Sequence, residues 1–209
     1  MRVVAGGAGG RRLRVPPGAT LRPTADRTKE ALFSMIESLL LWGRPDADIG
    51  TPGLWTGLRV ADLYAGSGAL GIEALSRGAA SAAFFERDRA ALEAISQNLR
   101  ATGLVDRATI VPGAVEQTLD RLPAGVELVL LDPPYADPAL REILARVAAS
   151  PSLAEDALVA LEHGQRLAPP GTLGALVLQR SRRHGDTALT LYARGRYDRR
   201  GGRGQAEVV

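Results

Sequence analysis

Arg59-Val60-Ala61-Asp62-Leu63-Tyr64-Ala65-Gly66-Ser67-Gly68-Ala69-Leu70-Gly71 is the stretch that decides the fold. Its first half is a short apolar run, Gly66, Ser67 and Gly68 interrupt it, and Leu70, Ala74 and Leu75 follow at helical spacing. The pattern reads as strand, tight turn and helix N-terminus. Glycine admits the positive φ that such a turn demands and lets a ligand touch the backbone. The free N–H groups and dipole of the helix start favour a negative or polar group there. Gly66, Gly68 and Gly71 have G-x-G-x-x-G spacing, which suits a dinucleotide enzyme as well as any other Rossmann-like cofactor user. Asp62, at the end of a buried strand, requires a partner such as a cofactor amine or a loop N–H. A helix cap or loop-ordering carboxylate is the plainer alternative.

Downstream the pattern alternates strand and helix, which points to an α/β domain with a mostly parallel sheet covered on both faces. Ala82–Phe85 reads as the second strand and ends at Glu86, about 20 residues past the glycine turn, where a carboxylate holds both ribose hydroxyls in the dinucleotide fingerprint. A helix from about Asp88 to Gly103 follows, with Leu92, Ile95 and Leu99 facing inward. Thr109–Val111 reads as the third strand, and Gly113-Ala114 after it falls where an adenine edge would lie. Leu128–Leu131 is a buried strand ending in Asp132-Pro133-Pro134-Tyr135. Two prolines stiffen that loop and supply no N–H. Its acceptors at Asp132 and the Pro133 carbonyl suit the hydrogens of an exocyclic amine, and Tyr135 suits stacking on an extruded base. Leu158–Glu162, Ala175–Gln179 and Ala188–Tyr192 complete the strands, the last two joined by an Arg/His/Gly/Asp turn suited to a hairpin.

Ahead of this domain, Arg2–Ala5 and Arg11–Val15 flank five small residues, Gly6 to Gly10, and read as a small hairpin with a flexible basic tip. Leu32, Met35, Ile36, Leu39 and Leu40 then mark a helix capped by Thr24 or Asp26. Trp42–Thr56 has no period and reads as a surface loop. Residues 1–20 are thus an extension, 21–193 the main domain, and 194–209 an Arg/Gly-rich tail too poor in apolar residues to fold.

Of 209 residues, 45% are apolar and 23% charged, enough for one core. With no cysteine and only His163 and His184 as imidazoles, disulfides and a metal centre are not expected. No run reaches the roughly 18 apolar residues of a membrane span, so a cytoplasmic protein is expected. Net charge is +3, yet residues 1–30 hold seven basic against two acidic side chains and residues 180–209 eight against three. All 26 basic residues but Lys29 are arginine, the side chain suited to bidentate phosphate contact and base stacking. A polyanion is the expected partner. Arg11, Arg12 and Arg14, with Arg22, Thr24, Arg27 and Lys29 at the following helix start, are the candidate RNA contacts. An arm of this kind would touch phosphates and leave cofactor binding alone.

Asp62-Leu63-Tyr64-Ala65-Gly66-Ser67-Gly68 followed by Asp132-Pro133-Pro134-Tyr135 resembles the S-adenosylmethionine-dependent amino-methyltransferases. Arg22-Pro23-Thr24-x-Asp26-Arg27-x-Lys29-Glu30-x-Leu32-Phe33, the glycine-rich arm and Ala74-Leu75-Ser76-Arg77-Gly78 narrow the resemblance. They are similar to the RsmD-type bacterial methyltransferases, which modify guanine N2 in 16S ribosomal RNA. The resemblance covers Arg2 to Ala193; the longer 42–56 loop and the tail from Arg194 fall outside the family pattern.

The resemblance implies a Rossmann-like class I methyltransferase whose seven-stranded, mostly parallel sheet has its last strand antiparallel. It implies S-adenosyl-L-methionine held by Asp62, Tyr64 and the Ala65–Gly68 turn, by Glu86 and Arg87, and by Gly113 and Ala114. The target base would lie at Asp132 through Tyr135. The implied partner is ribosomal RNA or the small ribosomal subunit, bound by a monomer without metal. On the general motifs alone, DNA adenine N6 or another RNA base stays open as target. So do a nicotinamide-dependent oxidoreductase and a non-catalytic RNA-binding module.

Overall fold

Near-continuous apolar runs make strands that need cover on both faces, and the chain supplies it. The structure is a computed structural model that describes residues 1–16, 25–42, 48, 51, 53–134 and 137–195. Strands β1 (Arg59–Leu63), β2 (Ser81–Glu86), β3 (Ala108–Pro112), β4 (Val126–Leu131) and β5 (Leu153–Gly164) run parallel in the order β3-β2-β1-β4-β5. Beyond β5 the sheet continues with β8 (Thr187–Ala193), β7 (Leu176–His184) and β6 (Thr172–Leu173). β8 is antiparallel to both β5 and β7, and β6 is antiparallel to β7. The sheet therefore has eight strands where the sequence suggests seven. The extra one pairs only through Thr172 and Leu173, folding back at Gly174 with φ +55°. Two residues are too few to leave an alternating pattern in a sequence.

Helices α1 (Ala25–Leu40), α2 (Ala69–Arg77) and α3 (Arg89–Thr102) cover one face, burying Leu32, Ile36, Ile72, Leu75 and Ile95 against Val60, Leu128 and Leu189. The short α4 (Val115–Thr118) and α5 (Leu140–Ala149) cover the other, where Ile143 and Val147 meet Val129, Val159 and Tyr192. Asp88 caps α3 by accepting from the Ala91 N–H at 2.8 Å, and Gly103 ends it in the left-handed region. Among the described residues no helix is long and apolar enough to cross a membrane.

The N-terminal extension differs from the expected hairpin. Arg2 and Arg12 form one isolated antiparallel bridge, supported by Val3 donating to the Arg11 carbonyl at 2.9 Å, and neither segment becomes a strand. Its glycine tip is docked on α2. The Gly7 N–H reaches the Ser76 carbonyl at 2.8 Å, and a Cβ on Gly6 would sit 1.9 Å from that same oxygen. Close backbone contact, which the glycine run permits, replaces the free tip. Val3, Ala8 and Leu13 are buried in the process.

The end of the 42–56 segment also departs from a surface loop. Leu54 and Trp55 are buried, with Trp55 stacked on Phe33 at 5.3 Å between ring centroids and its indole N–H donating to Glu37 at 2.9 Å. Gly/Pro/Asp content conceals a single aromatic that plugs a core. Residues 43–47, 49–50 and 52, and the tail from Arg196, lie outside the described residues. Arg194, just before it, donates from its guanidinium to the carbonyls of Leu153 and Ala154.

Candidate functional site

In-register pairing brings the site together. Leu63 of β1 is level with Phe85 of β2 and Leu131 of β4, so the next residues on the three strands, Tyr64, Glu86 and Asp132, emerge side by side. This is the carboxyl edge beside the switch point between β1 and β4, where open α/β sheets hold their ligands. A cavity of about 1070 Å³ opens there, lined by Asp62, the 64–67 turn, Glu86, Arg87 and the Asp132–Pro134 loop. Gly113 and Ala114 at the end of β3 complete its far wall.

Asp62 is 1% exposed, and its Oδ2 accepts from the Gly71 N–H at 2.8 Å. Among the described residues its Oδ1 has no hydrogen-bond partner. Burial holds this carboxyl well above its ordinary 3.8, with repulsion from Asp132 and Glu86 adding to the rise and the Gly71 N–H opposing it. A buried carboxylate on a cavity wall, with an oxygen free of protein partners, suits a ligand ammonium. That chemistry fits the amino-acid part of S-adenosylmethionine.

Glu86 departs from a simple ribose clamp. Its Oε2 accepts from the Gly66 N–H at 2.8 Å, while Oε1 takes the N–H groups of Arg87 and Asp88, each at 2.8 Å. A carboxylate has about four lone-pair positions, so Glu86 orders the glycine turn and retains limited capacity for a ribose hydroxyl. Gly68 adopts φ +78° and opens α2 without a side-chain cap.

Tyr64 stands at φ +62°, the one described non-glycine residue with positive φ. Its hydroxyl donates to Asp137 Oδ2 at 2.8 Å, and Asp137 in turn takes the Ala139 N–H and donates its own N–H to the Pro134 carbonyl, each at 2.9 Å. The glycine turn and the proline loop are thereby tied together. Burial and the Asp137 hydrogen bond raise the Tyr64 phenol far above its ordinary value. Asp132 is exposed toward the cavity, with Pro133 buried beside it. Tyr135 lies outside the described residues.

The N-terminal extension forms part of the same cavity. Met1 and Val15 line it, beside Thr28 and Lys29 of α1. Asn98, 1% exposed, exchanges hydrogen bonds with the backbone of Arg14 at 2.7 and 2.9 Å and donates to the Ser67 carbonyl at 2.9 Å. Glu73, fully buried, accepts from the Val4 and Ala5 N–H groups and pairs with Lys29 at 3.1 Å and Arg77 at 2.9 Å. Nothing local in the sequence marks Glu73, Asn98 or Asp137, although Ser76-Arg77 of the family-level motif belongs to the same clamp.

The basic residues divide accordingly. Lys29 is 4% exposed and spends its charge on Glu73. Arg11 donates to the Ala101 carbonyl and Arg14 to Gln97, while Arg12 and Arg27 are exposed. Arg22 and Thr24 lie outside the described residues.

Five parallel strands followed by a reversed strand inserted beside the fifth, with a glycine turn after β1, define a class I methyltransferase-like α/β fold. Residues 1–193 match the family described as Conserved hypothetical protein 95, and the chain belongs to that family, the RsmD-type methyltransferases. YlbH of Bacillus subtilis strain 168, provisionally named an rRNA methyltransferase, is 35% identical over 92% of this chain and 98% of its own. Ribosomal RNA small subunit methyltransferase D of Escherichia coli K12 is 33% identical over 93% of this chain and 90% of its own. The solved structure of yhhF from Escherichia coli, provisionally described as a methyltransferase, superposes with a TM-score of 0.76. It is 32% identical and covers 93% of this chain and 97% of that one.

Proposed function

We propose that this protein transfers a methyl group from S-adenosyl-L-methionine to the exocyclic N2 amine of a guanine in 16S ribosomal RNA. The observation that carries the reading is the placement of Asp132-Pro133-Pro134 on the same cavity as Asp62 and Glu86, one strand away from the glycine turn. The names of the relatives in the small-subunit RNA methyltransferase group support the substrate. The cofactor supplies a methyl group activated by its sulfonium. Asp62 holds the amino-acid end, Glu86 the ribose, and Gly113 and Ala114 border the adenine.

An amine on a purine is a poor nucleophile because its lone pair is delocalised into the ring. Asp132 and the Pro133 carbonyl hold its hydrogens and favour the geometry in which that lone pair points at the methyl group. Tyr135 takes the stacking role by its place in the motif. Arg12 and Arg27 offer exposed charge to the phosphates.

Asp132→Ala, assayed for methyl transfer to small subunits and to free 16S RNA, tests the reading. Turnover should fall by about 10²-fold or more, with cofactor affinity within a few fold. Near-normal turnover would remove Asp132 from the reaction, and a methyl group mapped to a position other than guanine N2 would overturn the substrate.

A further inference from the structure

β7 carries Arg180, Arg182 and Arg183, and it lies near the edge of the sheet. β6 covers its outer side only at Leu176 and Val177, and no strand among the described residues pairs there from Gln179 to His184. Ser181, Arg182 and Arg183 are exposed. Arg182 is level with Leu189 of β8 and Arg183 with Ala188, so their side chains leave opposite faces of the strand and flank its open edge. The Gln165 side-chain amide donates to the Gly185 carbonyl, which sets exposed Arg166 beside the hairpin tip. Arg166, Arg182 and Arg183 form no ion pair among the described residues. The acidic groups nearby are Asp186, exposed at the tip, and half-buried Glu162.

The same hairpin forms the rim of the cavity. His184, Asp186 and Thr187 line it together with Pro133 and Pro134. Only β5 and β8 separate β4 from β7, a distance of about 14 Å at about 4.8 Å per strand. A strand of nucleic acid that places a base at the proline loop must leave the cavity past one rim or another, and this rim carries arginines with no ion pair among the described residues.

We propose that the β7 edge and Arg166 form a second RNA-contacting surface, gripping phosphates that flank the target nucleotide, on the far side of the site from the N-terminal extension. The inference rests on the reading that the substrate is RNA. Arginine matches it through bidentate contact with phosphate oxygens. The competing role is protection of an open edge against pairing with another chain, which charged side chains also provide.

The double variant Arg182→Glu/Arg183→Glu separates the two. With a guanine-containing 16S RNA fragment titrated at several salt concentrations, affinity at low salt should fall at least tenfold. The slope of log affinity against log salt should flatten by about 1 to 2, as for two lost phosphate contacts on a single strand. Cofactor affinity and melting temperature should stay unchanged. If the glutamates lower the melting temperature, Arg182→Gln/Arg183→Gln removes the charges without reversing them and is judged by the same slope.

Unchanged affinity and slope in a protein whose wild type binds the RNA would overturn the surface, and self-association with unchanged RNA affinity would assign the arginines to edge protection. Normal binding to free RNA with lost binding to small subunits would assign the surface to a protein partner instead. A wild type with no affinity for free RNA or for small subunits would overturn the functional reading itself, and this surface with it.

Discussion

Asp62 holds the start of α2 through the Gly71 N–H and also lines the cavity. Burial favours its protonated form, so its folded-state pKa lies above the ordinary 3.8. Its contribution to stability is therefore full below 3.8 and is lost as pH rises through the raised value. An ammonium bound beside it favours the ionised form, so cofactor binding should release a proton and tighten as pH rises across that window. Calorimetry at stepped pH should show this, and Asp62→Asn, which keeps an acceptor for Gly71, should flatten the profile. An equally steep profile in the variant would assign the proton elsewhere.

Gly71 has a different requirement: a Cβ there would fall 2.4 Å from a Phe84 ring carbon. Gly71→Ala should cost about 1–3 kcal/mol by overpacking, read from a chemical denaturation midpoint; an unshifted midpoint would mean that Phe84 moves aside freely. Such residues were legible in the sequence because each sits at a strand end or in a turn whose spacing is local. Glu73 and Asn98 were not, and Lys29 was seen only as a basic residue, because their partners are remote, as in the 84-residue separation of Arg14 and Asn98.

At the scale of elements, the Tyr64–Asp137 bond joins the turn after β1 to the loop after β4. Tyr64→Phe deletes the donor and keeps the ring. Turnover should fall about tenfold through a displaced proline loop, while KM for the cofactor stays within about twofold. Asp137→Asn retains an acceptor and should restore most of the turnover that Asp137→Ala loses. If Tyr64→Phe turns over normally, the bond only decorates the loop.

The long strands and amphipathic helices were legible, since an apolar run or a 3.6-residue period needs no partner to be seen. The two-residue β6 and the docking of the glycine tip were not. The tip's glycines announced a turn, but their function is to let a backbone lie against the Ser76 carbonyl, and that depends on a helix some seventy residues away.

Across the whole molecule, the N-terminal extension is a wall of the site and a part of the core. Deleting residues 1–15 would expose the core that Val3, Ala8 and Leu13 bury and strip two backbone donors from buried Glu73. The melting temperature should drop, and cofactor affinity should weaken as Asn98 loses Arg14 while still holding the Ser67 carbonyl. An arm that touched only RNA would leave both unchanged, so thermal melting and a cofactor titration on one truncated protein decide the point.

The position of β8 has a consequence for biosynthesis. Among the described residues it is the last strand made, yet it lies between β5 and β7. A nascent chain that has emerged only as far as residue 184 holds β5 with one open side and β7 with no neighbour but the two-residue β6. Both are adhesive edges. Completion of the sheet must wait for translation to pass residue 193, and a message broken before residue 187 yields a product suited to proteolysis or aggregation.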